Sequence, residues 1–167
     1  MADHTPGTDA FEQLVALLDY PMYVVTTRAG EESAGCLVGF TSQVSIRPRR
    51  FLVGLSKRNH TYRVALRSEH LAVHLLPRTH RDLARLFGSQ TGDHVDKFAR
   101  CSWRVGPHGM PILTDAIGWF VGEVLGRIDV GDHVAILLEP VTGSAPQEFE
   151  QLVTFADVRD LDPGHEA

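Results

Sequence analysis

The chain has 167 residues and a mass of 18.5 kDa, a length that suits one domain with its own core. Its 43% hydrophobic and 22% charged residues are typical of a soluble globular protein and exclude a disordered one. No apolar run reaches the roughly 18 residues of a membrane helix, and residues 1–6 lack the features of a secretory signal. The two cysteines, Cys36 and Cys101, form no CxxC pair, which predicts a reducing, cytoplasmic setting.

The net charge of -5 conceals a basic middle of the chain. Thirteen of the 16 Lys and Arg residues lie within residues 47–104, and the flanking segments are acidic. This asymmetry predicts a local anionic partner rather than nucleic acid, for which we would expect a basic domain as a whole. The alternative is that these cations are solvated or paired with neighbouring carboxylates.

The first third of the chain predicts a loose arm, a helix and then strands. After an arm over residues 1–7, the helix begins at Thr8 or Asp9 and ends before Pro21. Its apolar face comprises Phe11, Leu14, Val15 and Leu18. β-Branched and aromatic residues predict extended segments at 22–27, 34–46 and 51–56, with a hairpin turn at 29–32.

Helices and strands alternate irregularly in the remainder. Asn59 predicts the N-cap of a helix over 60–68 that buries Tyr62, Ala65 and Leu66. Thr79 and Asp82 resemble a capping box that opens a helix ending at Gly88. A turn at Gly131 and Asp132 separates two predicted strands, 119–125 and 134–138. The other predicted strands are 71–76, a short one near Trp103, and 152–155.

These elements predict a mainly β protein with short helices. Strands joined by tight turns favour a closed antiparallel sheet, because closure removes exposed edges. A doubly wound fold would need regular alternation of strands and helices. No linker divides the chain, so we expect one domain over 1–167, with a core of about 21–142, an arm and helix at 1–20 and an extension at 143–167.

Several familiar sites are absent from the sequence. There is no GxGxxG, no GxxxxGK[ST] and no GxSxG motif. Of the nine histidines, His70 and His74 are closest to a ligand spacing. In a strand they would lie ~13 Å apart at ~3.3 Å per residue, too far to share one ion, so we expect no metal site.

The segment from Ser56 to Thr61 is a candidate anion site. A strand ends there, Lys57 and Arg58 follow, and Asn59 opens a helix whose free N–H groups carry partial positive charge. Together with the two hydroxyls, these groups suit a phosphate. An ordinary capped turn with solvated cations explains the pattern equally well.

Two further segments have both a structural and a binding interpretation. Residues 35–48 combine two glycines with small hydroxyl residues, which suits close approach of a flat heteroaromatic ring, although a bulged strand explains them too. Gly131 and Asp132 need be only a hairpin turn. His133 would enter the next strand, where an imidazole can bond to a ligand.

Taken together, these segments resemble the flavin reductase family with the FMN-binding split-barrel fold. The resemblance runs from about Pro21 to Pro140. It rests on Gly39–Pro48, Phe51–Ser56, Asn59–Tyr62, His74–Leu76, Leu83–Gly88, Lys97 with Phe98, Trp103 and Gly131–His133. The sequence departs from the family at Leu37, where threonine is frequent, and at Arg49, where a second proline is frequent.

The resemblance implies a Greek-key split β-barrel and a homodimer that binds FMN, or FAD, near the subunit interface. It implies hydride transfer from NADH or NADPH to the flavin, and reduced flavin passing to a partner monooxygenase. A non-catalytic flavin-binding or haem-handling module on the same barrel is the alternative, since fold does not fix function. The apolar residues Leu152, Val153 and Phe155 predict that the extension covers the partner subunit.

The resemblance also implies roles for individual residues. His133 would be catalytic, placing the nicotinamide or stabilising the reduced ring. The flavin ring would lie along residues 39–42 and at the end of the strand over 51–56. Its phosphate would lie beside the start of the helix that Asn59 caps. The implied cofactor-binding residues are Gly39, Phe40, Thr41, Ser42, Leu55 and Ser56 for the ring, and Lys57, Asn59, His60 and Thr61 for the phosphate.

Overall fold

Antiparallel strands dominate the computed structural model, which describes residues 8–89, 95–148 and 150–161. The strands are β1 Tyr23–Ala29, β2 Glu32–Val38, β3 Thr41–Ser45, β4 Arg50–Ser56, β5 His70–Leu75, β6 Trp103–Val105, β7 Pro111–Leu113, β8 Gly118–Asp129 and β9 His133–Ser144. The α-helices are α1 Thr8–Val15, α2 His60–Ala65, α3 Arg81–Ser89 and α4 Phe155–Val158. The arm predicted for residues 1–7 lies outside the described residues.

Seven of these strands form one antiparallel sheet in the order β2-β1-β5-β8-β9-β4-β3. The strands at the two ends of this order, β2 and β3, are consecutive in the chain, and only Gly39 and Phe40 separate them. The amide of Gly54 in β4 donates to the Phe40 carbonyl at 2.7 Å. The sheet therefore curls round until its ends meet, which confirms the predicted mainly β, closed antiparallel architecture.

The hydrophobic core has two main parts. Inside the barrel, apolar side chains from five strands pack together, among them Val25, Val53 and Ile136 with no exposed surface. Outside the barrel, one face is covered by α3 and α4 and by the residues that precede each helix. Phe87 of α3 and Val153, just before α4, are buried there. Burial of this apolar area is the main force that holds the helices on the barrel.

The C-terminal extension packs on its own barrel. The predicted strand over 152–155 is wrong, because only isolated bridges join Thr154 to Pro21 and Leu152 to Pro77. Instead Thr154 begins α4 with a capping box, in which its amide donates to the Asp157 carboxylate at 2.9 Å. Of the apolar residues that predicted cover for a partner subunit, Val153 and Phe155 thus belong to this chain's second core cluster.

Other local predictions need correction. The extended stretch 34–46 is two strands, and α2 ends at Ala65, which leaves Leu66 48% exposed. The capping box at Thr79 does not form, because the chain is already helical from Arg78 onward. The predicted strand near Trp103 exists as β6, and its partner β7 was not predicted.

The apolar face of α1 has no cover in the described structure. Phe11, Leu14 and Leu18, which the sequence placed on one face, are 66%, 63% and 55% exposed. Among the described residues, no helix is long and apolar enough to span a membrane.

Candidate active site

Three predicted segments meet at one end of the barrel. Antiparallel pairing of β4 with β9 places Ser56 opposite His133. The amide of Lys57 donates to the Asp132 carbonyl at 3.0 Å, which ties the start of the α2 loop to the β8–β9 turn. The Phe40 ring lies edge-on to the His133 imidazole, with centroids 5.0 Å apart. Residues far apart in sequence therefore form one surface.

His133 is held in a defined orientation by its neighbour. Its Nδ1 lies 2.7 Å from Asp132 Oδ1. Because a carboxylate only accepts hydrogen bonds, Nδ1 carries the proton, and Nε2 is the ring atom left for a ligand. The same bond holds the pKa of Asp132 below its usual value. The His133 side chain is 18% exposed, so the ring is accessible without being loose.

The polar groups at the start of α2 already have hydrogen-bond or ion-pair partners within the protein. As predicted, Asn59 is the N-cap, and its side chain accepts from the Thr61 amide at 2.9 Å. Thr61 itself is only 1% exposed. The Lys57 ammonium lies 2.8 Å from Asp129, and this bond lowers the pKa of that carboxyl. Contact of a phosphate with Lys57, Asn59 or Thr61 stays a prediction.

His60 is the first residue of α2, and its side chain contacts the start of β2. Its Nε2 lies 3.1 Å from the Glu32 carboxylate at the edge of β2. Glu32 also accepts a close hydrogen bond from Arg67, and that bond is the main reason for its lowered pKa. The assignment of His60 to the cofactor stays a prediction.

The glycines of the predicted ring-binding segment make room for the protein's own side chains. A Cβ on Gly39 would lie 2.7 Å from the Tyr20 ring and 2.9 Å from the Met22 sulfur. One on Gly35 would lie 2.8 Å from the Phe87 ring. Close internal packing therefore explains these glycines, and contact between Gly39 and a flavin stays a prediction.

The hydroxyl residues of β3 lie at the end of the strand order. Thr41 bonds through its side chain to the phenol of Tyr23, whose pKa is raised by burial. Ser42 is exposed, and its hydroxyl donates to the Gln43 carbonyl at 3.1 Å. In the described structure β3 pairs with β4 on one side, so its other side presents backbone amides. Contact of Thr41 and Ser42 with the polar edge of a flavin stays a prediction.

The remaining ring-binding predictions concern the end of β4. The Leu55 side chain is in the barrel core with 1% exposure, so only its backbone can face a ligand. Ser56 is 8% exposed, and its hydroxyl accepts from the Arg58 amide at 3.3 Å. Ser56 lies opposite His133 and Leu55 lies opposite Val134 in the ladder between β4 and β9, and a flavin contact there stays a prediction.

A groove next to Phe40 was not predicted. It has a volume of about 660 Å³ and runs between α1, β3 and the start of α4. Tyr20 and Phe155 stack in it with centroids 5.1 Å apart, and Arg159 lies at its edge. No local sequence pattern points to this groove, because it joins residues from the two ends of the chain.

The other conspicuous polar residues have structural partners. Buried Lys97 donates to the carbonyls of Gly35 at 2.9 Å and Phe87 at 3.1 Å, and burial lowers its pKa. His70 stacks on His108 with centroids 4.0 Å apart. Within the described ranges, no group of three or more His, Cys, Asp and Glu residues is arranged to hold a metal ion.

Comparison with known proteins assigns this arrangement to a family. The model of the flavin reductase like domain matches residues 15–160. A probable flavin reductase of Rhizobium meliloti is 32% identical over 117 residues, which are 68% of this chain and 37% of that protein. The FMN reductase (NADH) RutF of Methylorubrum extorquens is 32% identical over 125 residues, which are 74% of this chain and 60% of that protein.

A solved structure agrees with the fold. The flavin reductase domain protein of Arthrobacter sp. FB24 superimposes with a TM-score of 0.80 at 20% identity, over 90% of this chain and 91% of that one. The chain spans 37% to 60% of the length of the first curated relatives that it matches. The expected split-barrel fold is thus confirmed, and the chain belongs to the flavin reductase-like family.

Proposed function

We propose that this chain is a flavin reductase, which transfers a hydride from NADH to FMN. The observation that carries the proposal is the convergence of Phe40, Ser56 and His133 at one end of the barrel. That end joins an exposed aromatic ring, an oriented imidazole and the amides of an edge strand. Membership of the flavin reductase-like family supports the same activity.

Each group at the site has a role that follows from its contacts. When bound, the flavin supplies the hydride-accepting ring, so the chain need only bind and orient the reactants. Thr41, Ser42 and the β3 amides bind the polar edge on which negative charge develops. His133 offers Nε2 to the nicotinamide because Asp132 holds Nδ1–H. Phe40, 61% exposed, shields the reacting atoms from water.

The choice of reactants is part of the proposal. NADH is favoured over NADPH because a relative of 32% identity is named for NADH and FMN. FAD is the second flavin to test. The reduced flavin leaves for a partner monooxygenase, and the two free cysteines, Cys36 and Cys101, support a cytoplasmic setting.

We also propose that the protein is a homodimer. Apolar side chains are exposed along β3 and the β8–β9 hairpin, and a second copy would cover them. They include Val44 at 50%, Ile46 at 75%, Ile128 at 54% and Val130 at 61% exposure. Light scattering should give twice the chain mass of 18.5 kDa, and a monomer at every concentration would refute the proposal.

The test of activity combines two measurements. Quenching of FMN fluorescence on titration with the protein measures binding, and loss of nicotinamide absorbance with FMN and NADH measures turnover. We expect saturable quenching and oxidation above the protein-free rate. Quenching without oxidation would favour the flavin-binding or haem-handling module, and the absence of both would refute a flavin site.

A further inference from the structure

The groove beside Phe40 leads away from the candidate active site. Phe40 and Thr41 line its near end, and Phe40 also contacts His133 at 5.0 Å. The groove therefore adjoins the position proposed for the nicotinamide, with the Phe40 ring shared between the two. Its volume of about 660 Å³ is within the range of small-molecule sites.

The far wall of the groove is an ordered stack. The Tyr20 ring packs on the backbone at Gly39, where a Cβ would lie 2.7 Å from it. Phe155 lies on Tyr20 with an interplanar angle of 15°, and the Arg159 guanidinium lies 5.3 Å from the Phe155 ring centre. The wall thus ends in a cation placed over aromatic rings.

The stack is fixed by the hydrogen bonds that hold α4 on the barrel. Asp19 accepts from the Ala156 amide at 2.9 Å and from the Thr154 hydroxyl at 3.0 Å. Asp157 accepts from the Thr154 amide, from Arg78 just before α3 and from Arg81 in α3. Arg159 is the C-cap residue of α4, so this fixed helix places the Arg159 backbone at the groove before any ligand arrives.

The charge of Arg159 is available to a ligand. Its side chain is exposed, and no salt bridge joins it to a carboxylate within the described part of the chain. The planar guanidinium suits two phosphate oxygens at once. The rest of the groove is largely apolar, with Val15 and Leu18 of the α1 region 40% and 55% exposed, and suits the faces of a purine. Glu12 adds an acceptor for ribose hydroxyls.

We propose that this groove binds the adenosine monophosphate half of the reduced pyridine nucleotide, with Arg159 on its phosphate. The inference rests on the proposed function, which places the nicotinamide beside His133. The purine packs between the apolar side chains of α1 and the edges of Tyr20 and Phe155. Arg159 is then a binding residue for the hydride donor and takes no part in binding the flavin ring.

The kinetic test compares two hydride donors that differ only in this half. NADH carries the adenosine monophosphate half, and reduced nicotinamide mononucleotide lacks that half but keeps its own phosphate. Arg159→Ala should lower kcat/KM for NADH about tenfold and leave that for the mononucleotide unchanged. Arg104→Ala is the matched control, because Arg104 is also exposed and lies 5.5 Å from the Trp119 ring but does not line the groove.

A binding test needs neither flavin nor turnover. Calorimetric titration with ADP should show saturable binding to the original protein and to Arg104→Ala, with affinity reduced about tenfold in Arg159→Ala. If the original protein oxidises neither donor, the proposed function fails, and this titration still decides the groove. Equal kinetic effects on both donors, unchanged ADP affinity, or a change of molar mass in Arg159→Ala would overturn the proposal.

Discussion

Two histidines illustrate how differently this barrel uses the same side chain. His74 on β5 has no exposed surface, and both ring nitrogens are bonded: Nδ1–H donates to the Val24 carbonyl at 2.9 Å, and Nε2 accepts from the Leu113 amide at 3.1 Å. His133 has one nitrogen bonded, to Asp132, and the other left for a ligand.

The two histidines differ in how many of their ring nitrogens have a hydrogen-bond partner. A buried imidazole with both nitrogens satisfied is fixed as the neutral tautomer, and it joins β5 to β1 and β7. A partly exposed imidazole with one satisfied nitrogen is oriented and retains a free site. The position of a histidine in a strand does not distinguish the two, so the comparison must be tested by substitution.

The largest effect should come from the buried histidine. Burial lowers the pKa of His74 from 6.5 to about 4. The unfolded chain therefore binds the proton first as pH falls, so the free energy of unfolding should decline below pH 6.5 and level off near pH 4. One such group is worth about 3 kcal/mol across that window.

His74→Gln isolates this contribution. Its free energy of unfolding in urea should be lower at pH 7 and should fall less between pH 7 and pH 5 than that of the original protein. His70, whose pKa is also lowered by burial, is present in both proteins and cancels in the comparison. Equal slopes in the two proteins would contradict the role of His74.

A smaller effect, confined to activity, should follow from the exposed histidine. His133→Ala should reduce kcat about tenfold or more, because the donor loses its orientation. FMN affinity and the free energy of unfolding should change little. A variant that binds FMN weakly but turns over normally would show that His133 contacts the flavin instead.

Lys57 tests the anion end of the same site. Lys57→Ala should weaken FMN binding about fivefold, as expected for a charge-assisted contact in a partly exposed place. Asp129→Asn is the control, because it removes the partner of Lys57 and leaves the ammonium. FMN affinity that is unchanged in Lys57→Ala would remove this residue from the site.

The smallest effect should follow from Asp132→Asn. The carboxylate that holds His133 Nδ1–H is replaced by a group of the same shape without charge. We expect kcat to fall about twofold, because the imidazole loses the carboxylate that orients it. A kcat equal to that of the original protein would separate Asp132 from the function of His133.

Local patterns predicted correctly what depends on local chemistry. The Asn59 cap and the turn at Gly131 need only neighbouring residues, and both are present. The same Thr-x-x-Asp pattern occurs at Thr79 and Thr154, yet only the second forms a capping box. At the first, pairing of Arg78 with Gln151 already fixes the chain.

Long-range contacts determine what the sequence did not reveal. The groove depends on Tyr20 meeting Phe155, and no local sequence pattern indicates that the Tyr20 ring packs against Gly39. The convergence of Phe40, Ser56 and His133 was predictable only through the family resemblance, because strand order places them together.

The joint at Gly39 and Phe40 has a consequence for engineering. These two residues link the first and last members of the strand order, so a covalent peptide joins two strands that are not paired with each other in the sheet. A circular permutant with new termini there would separate β2 from β3 and leave the unpaired backbone edges of both strands exposed. We expect such a permutant to self-associate. New termini at the Gly30 turn, which joins β1 to its neighbour β2, would spare that link.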